Sequence, residues 1–212
     1  SVRRRAQWLH RYPGHTIDDL RGNVQTRLQK LQDNNWQGAI FAAAGLDRLG
    51  IEMPNRLELD WMVPAPAQGA IMVVCREEDE RSKEVCAVLN DALTAVCVKI
   101  ERDFLAALMG GCATPISAIA VADNDKIKFR GNVLSPDGKD CIACEETFSV
   151  TDAAHAGNLA AEIIMKQDNG HIIQKLLKKI PENRYQSAFG LLSDLQEAQH
   201  YLHLFPDTSS KS

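Results

Sequence analysis

The stretch ERDFLAALMGGCATPISAIAVAD, residues 101–123, decides the fold of the second half of the chain. Its first eight residues close a helical pattern, two glycines break it, and a single cysteine follows. Pro115 then bars a return to helix, and an apolar run of strand length begins. Gly110 and Gly111 let the backbone turn sharply and leave room for something bulky beside Cys112. Upstream, Cys86, Leu89, Leu93, Val96, Cys97, Ile100, Phe104 and Leu108 recur at spacings of three and four, which predicts one continuous helix with an apolar stripe. Ser82 is its candidate N-cap, with Asp79 and Glu80 favouring the positive end of the dipole. Downstream, SAIAVAD, KIKFRGNVL and DCIACEETFSV predict three strands, joined by turns at NDK and at SPDGK. AAHAGNLAAEIIMKQ and HIIQKLLKKI predict helices, so this half reads α, three antiparallel strands, α.

The first half reads differently. Residues 2–11 predict a helix, YPGH a turn and TIDDL a short strand. NVQTRLQKLQD is helical through Val24, Leu28 and Leu31, WQGAIFAAAG is an apolar run of strand length, and LDRLG is one helical turn closed by Gly50. That alternation favours an α/β unit. VPAPAQGA has the stiffness of a crossing between domains, AIMVVCRE reads as a buried strand, and DTSSKS as a disordered tail.

The 212 residues are 45% hydrophobic and 25% charged, the composition of a soluble globular protein. A net charge of −4 argues against nucleic-acid binding, which calls for a basic excess. No apolar run approaches the roughly 18 residues of a membrane span. Six cysteines spread along the chain suit a reducing cytoplasm. The opening SVRRRAQWL has no initiator Met and begins within a helical pattern, so the chain is expected to be a piece of a longer protein.

Chemistry concentrates in two places. Arg3, Arg4, Arg5, Arg21, Arg27 and Arg48 all precede residue 49. Arg21 opens RGN at a junction into a helix, where backbone N–H groups already favour anions, and Arg27 lies in that helix's first turns. Cations there oppose the helix dipole, a cost a bound anion would offset. Guanidinium groups grip carboxylates bidentately, so the set describes a pocket for a multiply anionic ligand, against the plainer reading of solvated surface charge. Cys112 is either a small buried hydrophobe or a nucleophile, and the second needs cations nearby, because a helix C-terminus does not lower a thiol pKa. Cys75, Cys86 and Cys97 read as packing residues. Cys141 and Cys144 fall on opposite faces of one strand, and with no second cysteine pair zinc is not expected.

RGNVQTRLQKL, AAAGLDRLG, PAPAQGAI with CREED, ERDFLAALMGGCATPI and GNVLSPDG occur in an order and spacing that resembles the porphobilinogen deaminase, or hydroxymethylbilane synthase, family from residue 1 to roughly residue 180. The resemblance implies a covalent dipyrromethane cofactor on Cys112, and a transferase that condenses four porphobilinogen molecules into hydroxymethylbilane, releasing ammonia at each step of heme-type tetrapyrrole biosynthesis. Each pyrrole carries an acetate and a propionate, which accounts for the arginines. It implies Ser1, Arg3, Arg4, Arg21 and Arg27 at the cofactor, Arg48 and Gln68 at the substrate, and a catalytic aspartate upstream of Ser1.

It also implies a cytoplasmic protein, a monomer at full length, and three parts: residues 1–64 from a periplasmic-binding-protein-like domain 2, a crossing and return strand at 65–90, and a cofactor-attachment domain at 91–182. Residues 183–212 form an extension in which YQSAFGLLSDLQEAQHYLHLF is a candidate amphipathic helix. Without the upstream aspartate the chain by itself is expected not to turn over. Pro66 and Ala67 stand where the family has a small apolar residue and glycine, which stiffens the crossing, and Met109 stands where an acid is common. The competing reading is a non-catalytic anion-binding module that leaves Cys112 unmodified.

Overall fold

The computed structural model describes residues 1–108 and 114–168, together with Ile172, Ile173 and Leu176. The chain divides into units Ser1–Gln167 and Asp168–Ser212. Within the second, the Asp168 carboxylate accepts from the N–H groups of Ile172 at 2.7 Å and Ile173 at 2.9 Å.

The centre of the first unit is a three-stranded antiparallel sheet: β1 (Ile116–Asp123), β2 (Lys126–Leu134) and β3 (Cys141–Ser149), in the order β1-β2-β3. The register pairs Ile116 with Val133 and Asp123 with Lys126, then Lys126 with Ser149 and Leu134 with Cys141. Such a meander closes with turns of a few residues, which is why the sequence predicts it so directly. Ile127, Phe129, Gly131 and Val133 alternate along β2 and are all buried.

Helix α5 (Ala92–Ala107) lies on that face, with Ile100 and Phe104 fully buried. The Phe104 and Phe129 rings meet at 5.1 Å and 63°, the edge-to-face arrangement aromatic quadrupoles prefer. Gly131 makes room for them, since a Cβ there would lie 2.8 Å from both rings. Helix α6 (Ala153–Asp168) packs on α5 at Gly157, where a Cβ would stand 2.3 Å from the Ile100 carbonyl oxygen.

The opposite face receives α1 (Val2–Arg11), through its buried Ala6 and Gln7. The β2–β3 turn abuts this helix. Gly138, at φ 74°, leaves no space for a Cβ against the Ala6 carbonyl oxygen at 2.6 Å, and its own carbonyl accepts from His10 Nδ1 at 2.9 Å.

The remaining helices are α2 (Val24–Asp33), α3 (Ala43–Asp47) and α4 (Glu80–Ala87). Three expectations fail here. TIDDL, WQGAIFAAAG and AIMVVCRE contain no strand, since among the described residues all strand pairing is confined to β1–β3. A strand without a neighbour has nothing to receive its N–H and C=O groups, so its β propensity is not realised. Ile71 is 86% exposed and Val74 82%, and Cys75, expected to be packed, is exposed.

The continuous helix over 86–108 is two helices, because Asp79 and Asp91 each cap a separate start by accepting from Ser82 N and Thr94 N. Ser82 is not the cap, and its hydroxyl donates to Asp79. Cys97 is buried as expected and Cys86 is half-buried. The expected helix at HIIQKLLKKI lies mostly outside the described residues, and the extension at 183–212 lies wholly outside them.

Candidate functional site

The RGN loop shows how a short motif builds a cationic corner. Gly22 sits at φ 121°, open to glycine and strained for other residues, and a Cβ there would lie 2.8 Å from Thr26 Cγ2. Asn23 caps α2 by accepting from Thr26 N at 2.8 Å. Arg27 Nε donates back to the Gly22 carbonyl at 2.7 Å, and Lys30 Nζ donates to the Arg21 carbonyl at 3.2 Å. Two cationic side chains thereby fold over the start of α2, where its backbone N–H groups already favour anions.

Arg4, on α1, is half-buried and lies within electrostatic reach of Arg27. Its pKa is lowered first by burial, then by the charges of Arg27 and Arg3. Three guanidinium groups therefore share one region. No carboxylate lies within ion-pair distance of Arg3, Arg4, Arg21, Arg27 or Arg48 among the described residues, although Arg56 pairs with Asp47 at 2.7 Å. Like charges held together without a counter-ion oppose folding and favour whatever anion enters.

The other expected residues are placed less tightly. Ser1 is the exposed N-cap position of α1 and makes no side-chain capping bond. Arg21 is exposed, as is Arg48 at the C-cap of α3. Gln68 spends its side chain locally, with Oε1 accepting from Ala65 N at 3.3 Å. Cys112 and Met109 lie outside the described residues. On either side of them, Leu108 is 3% exposed and Thr114 6% exposed, and the Pro115 carbonyl accepts from Leu134 N at 3.1 Å.

Two buried polar residues escaped the reading of the sequence. Gln7 Nε2 donates to the Val63 carbonyl at 2.9 Å and to Ser117 Oγ at 3.1 Å, while its Oε1 accepts from Val63 N at 2.9 Å and from Asn132 Nδ2 at 3.4 Å. One amide thus joins α1, the crossing segment, β1 and β2. Glu101 accepts from Ala120 N at 2.8 Å with Oε1 and from Ala67 N at 2.6 Å with Oε2. Burial raises its pKa, against those two hydrogen bonds. The signal for Glu101 was present, because Cys97, Ile100, Glu101 and Phe104 form one buried stripe on α5, and a carboxylate there needs partners.

Cys141 is half-buried and Cys144 buried, and burial pushes the Cys144 thiol up to about 11, so neither is a poised nucleophile. Among the described residues no group of three His, Cys, Asp or Glu side chains is placed to hold a metal ion, and no helix is long and apolar enough to cross a membrane. An open depression lined by Asp47, Gly50, Ile51, Glu52, Met53 and Arg56 contains none of the expected residues.

Residues 1–84 match the family model described as porphobilinogen deaminase, dipyromethane cofactor binding domain. Residues 95–166 match the porphobilinogen deaminase C-terminal domain. Among curated relatives, the porphobilinogen deaminase of Acidithiobacillus ferrooxidans is 40% identical over 176 residues, 82% of this chain and 57% of that protein. That of Paracoccus denitrificans is 43% identical over 164 residues, 76% of this chain and 52% of that protein. The chloroplastic enzyme of Pisum sativum is 42% identical over 173 residues, 79% of this chain and 47% of that protein. The chain spans about half the length of the curated relatives it matches.

Proposed function

The chain belongs to the porphobilinogen deaminase family, and from that premise we propose that it supplies the anion-binding and cofactor-bearing parts of a hydroxymethylbilane synthase. In this reading Arg3, Arg4 and Arg27 hold the acetate and propionate groups of a dipyrromethane joined to Cys112. Ser1 and Arg21 line the same site, and Arg48 and Gln68 meet incoming porphobilinogen. The observation that carries it is the uncompensated cluster of Arg3, Arg4 and Arg27. Its donors suit a group with two carboxylates on every ring, and among the described residues no carboxylate within ion-pair distance competes for them. When bound, the dipyrromethane supplies the pyrrole carbon that is extended.

The chain's own contribution is charge and place. Each ring added brings two negative charges, and guanidinium groups already fixed near one another receive them with little reorganisation. Domain boundaries at 64 and 90, a periplasmic-binding-protein-like relation for residues 1–64, a cytoplasmic setting and a monomeric whole protein belong to the same proposal.

Intact mass of the purified chain, with and without Cys112→Ser, tests it alongside thermal shift with porphobilinogen. An excess of two pyrrole units that the substitution removes, or a porphobilinogen-dependent rise in Tm that Arg4→Ala abolishes, is the expected result. Unmodified mass together with no shift at millimolar porphobilinogen overturns the reading.

A further inference from the structure

Among the described residues, no fourth strand pairs with the outer edge of β1. Two alternate residues, Ala118 and Ala120, turn their N–H groups to that edge. Ala118 donates to the Pro64 carbonyl at 3.1 Å and Ala120 to Glu101 Oε1 at 2.8 Å. One crossing-segment carbonyl and one α5 side chain thus take the place of a neighbouring strand.

Glu101 does more than finish an edge. Its second oxygen holds Ala67 N, and Ala67 has φ 60°, a left-handed conformation that non-glycine residues avoid. The turn around it is short: Gln68 N donates to the Ala65 carbonyl at 2.9 Å, with Pro66 and Ala67 between. Backbone strain of this kind persists only where the surroundings enforce it, and it concentrates where position matters. The segment leading into the turn is bonded to α1 through Gln7 and Val63, and α1 carries Arg3 and Arg4.

We propose that Glu101 is a positioning residue: its carboxylate pins the strained 65–68 turn to the edge of β1 and so fixes the α1 arginines and Gln68 for an anionic pyrrole ligand. This rests on the proposed function for the ligand, and on geometry alone for the latch. Both carboxylate oxygens are in use, so a glutamine in their place meets one N–H with an NH2 group and loses that bond.

Amide hydrogen exchange on the full chain separates the two parts, comparing wild type, Glu101→Gln and Glu101→Asp, with porphobilinogen affinity measured on the same samples. The expected result is exchange at Ala67 about tenfold faster in Glu101→Gln, with Phe129 and Gly131 in the β2 ladder unchanged, porphobilinogen affinity about fivefold weaker, and partial recovery in Glu101→Asp. Equal Ala67 exchange in wild type and Glu101→Gln overturns the latch. Faster exchange with unchanged affinity overturns the positioning role. If the wild-type chain does not bind porphobilinogen, the proposed function fails, and the Ala67 comparison alone then sustains or overturns the latch.

Discussion

Residues 92–168 and residues 36–90 have similar apolar content in their key segments and very different outcomes. In the first, Ile100, Phe104, Ile127, Phe129 and Val133 are almost wholly buried between α5 and the sheet. In the second, Ile71, Met72, Val73 and Val74 lie outside any helix or strand at 59–86% exposure, and Val88 is 85% exposed. The difference is one of pairing distance. An antiparallel meander finds each neighbour a few residues away, whereas the strands of an α/β unit pair across crossovers and need neighbours remote in sequence. A β-branched run is a strand only in company.

Phe104→Ala breaks the comparison at its strongest point. The ring is fully buried, sits edge-to-face on Phe129 and fills the space that Gly131 leaves. Truncation removes that contact and leaves a cavity, so a loss of about 3–5 kcal/mol is expected in urea unfolding. A loss under about 1 kcal/mol would mean that the sheet and α5 do not share a core.

Ala67 tests the join between the regions, with a smaller effect. Its left-handed backbone costs an alanine about 1 kcal/mol and a β-branched residue more. Ala67→Val is expected to lower stability by roughly 1–2 kcal/mol, while Ala67→Gly leaves it level or slightly raised, because relief of strain offsets added chain entropy. A ranking by Tm with valine at or above alanine would contradict the turn geometry.

These contrasts explain what could be read from residues alone. The α1 helix, α2, the three strands and the Pro-Asp-Gly turn follow from periodicity and turn chemistry, both local properties. The break between α4 and α5 was legible in Asp91, whose capping bond to Thr94 N outweighs the apolar stripe running through it. The grouping of Arg4 with Arg27 was legible only as a list of cations, since nothing local tells that α1 and the start of α2 meet. Gln7 and Glu101 were missed because a polar residue within an apolar stripe looks like noise until its backbone partners, 56 and 34 residues away, are in view.

The smallest expected effect sharpens the comparison most. Ile71→Ala and Val74→Ser remove apolar side chains as Phe104→Ala does, yet these side chains already face water, so stability should move by less than about 0.5 kcal/mol. Solubility should move instead. AIMVVC is uncharged, free of proline and rich in β-branched residues, the profile of a segment that pairs with its like when its edges are open. Light scattering at increasing protein concentration should show later onset of association in Val74→Ser than in the unsubstituted chain, at equal unfolding free energy. If the two substitutions instead cost as much as a core truncation, residues 70–76 are packed in solution, and the contrast between the two regions disappears.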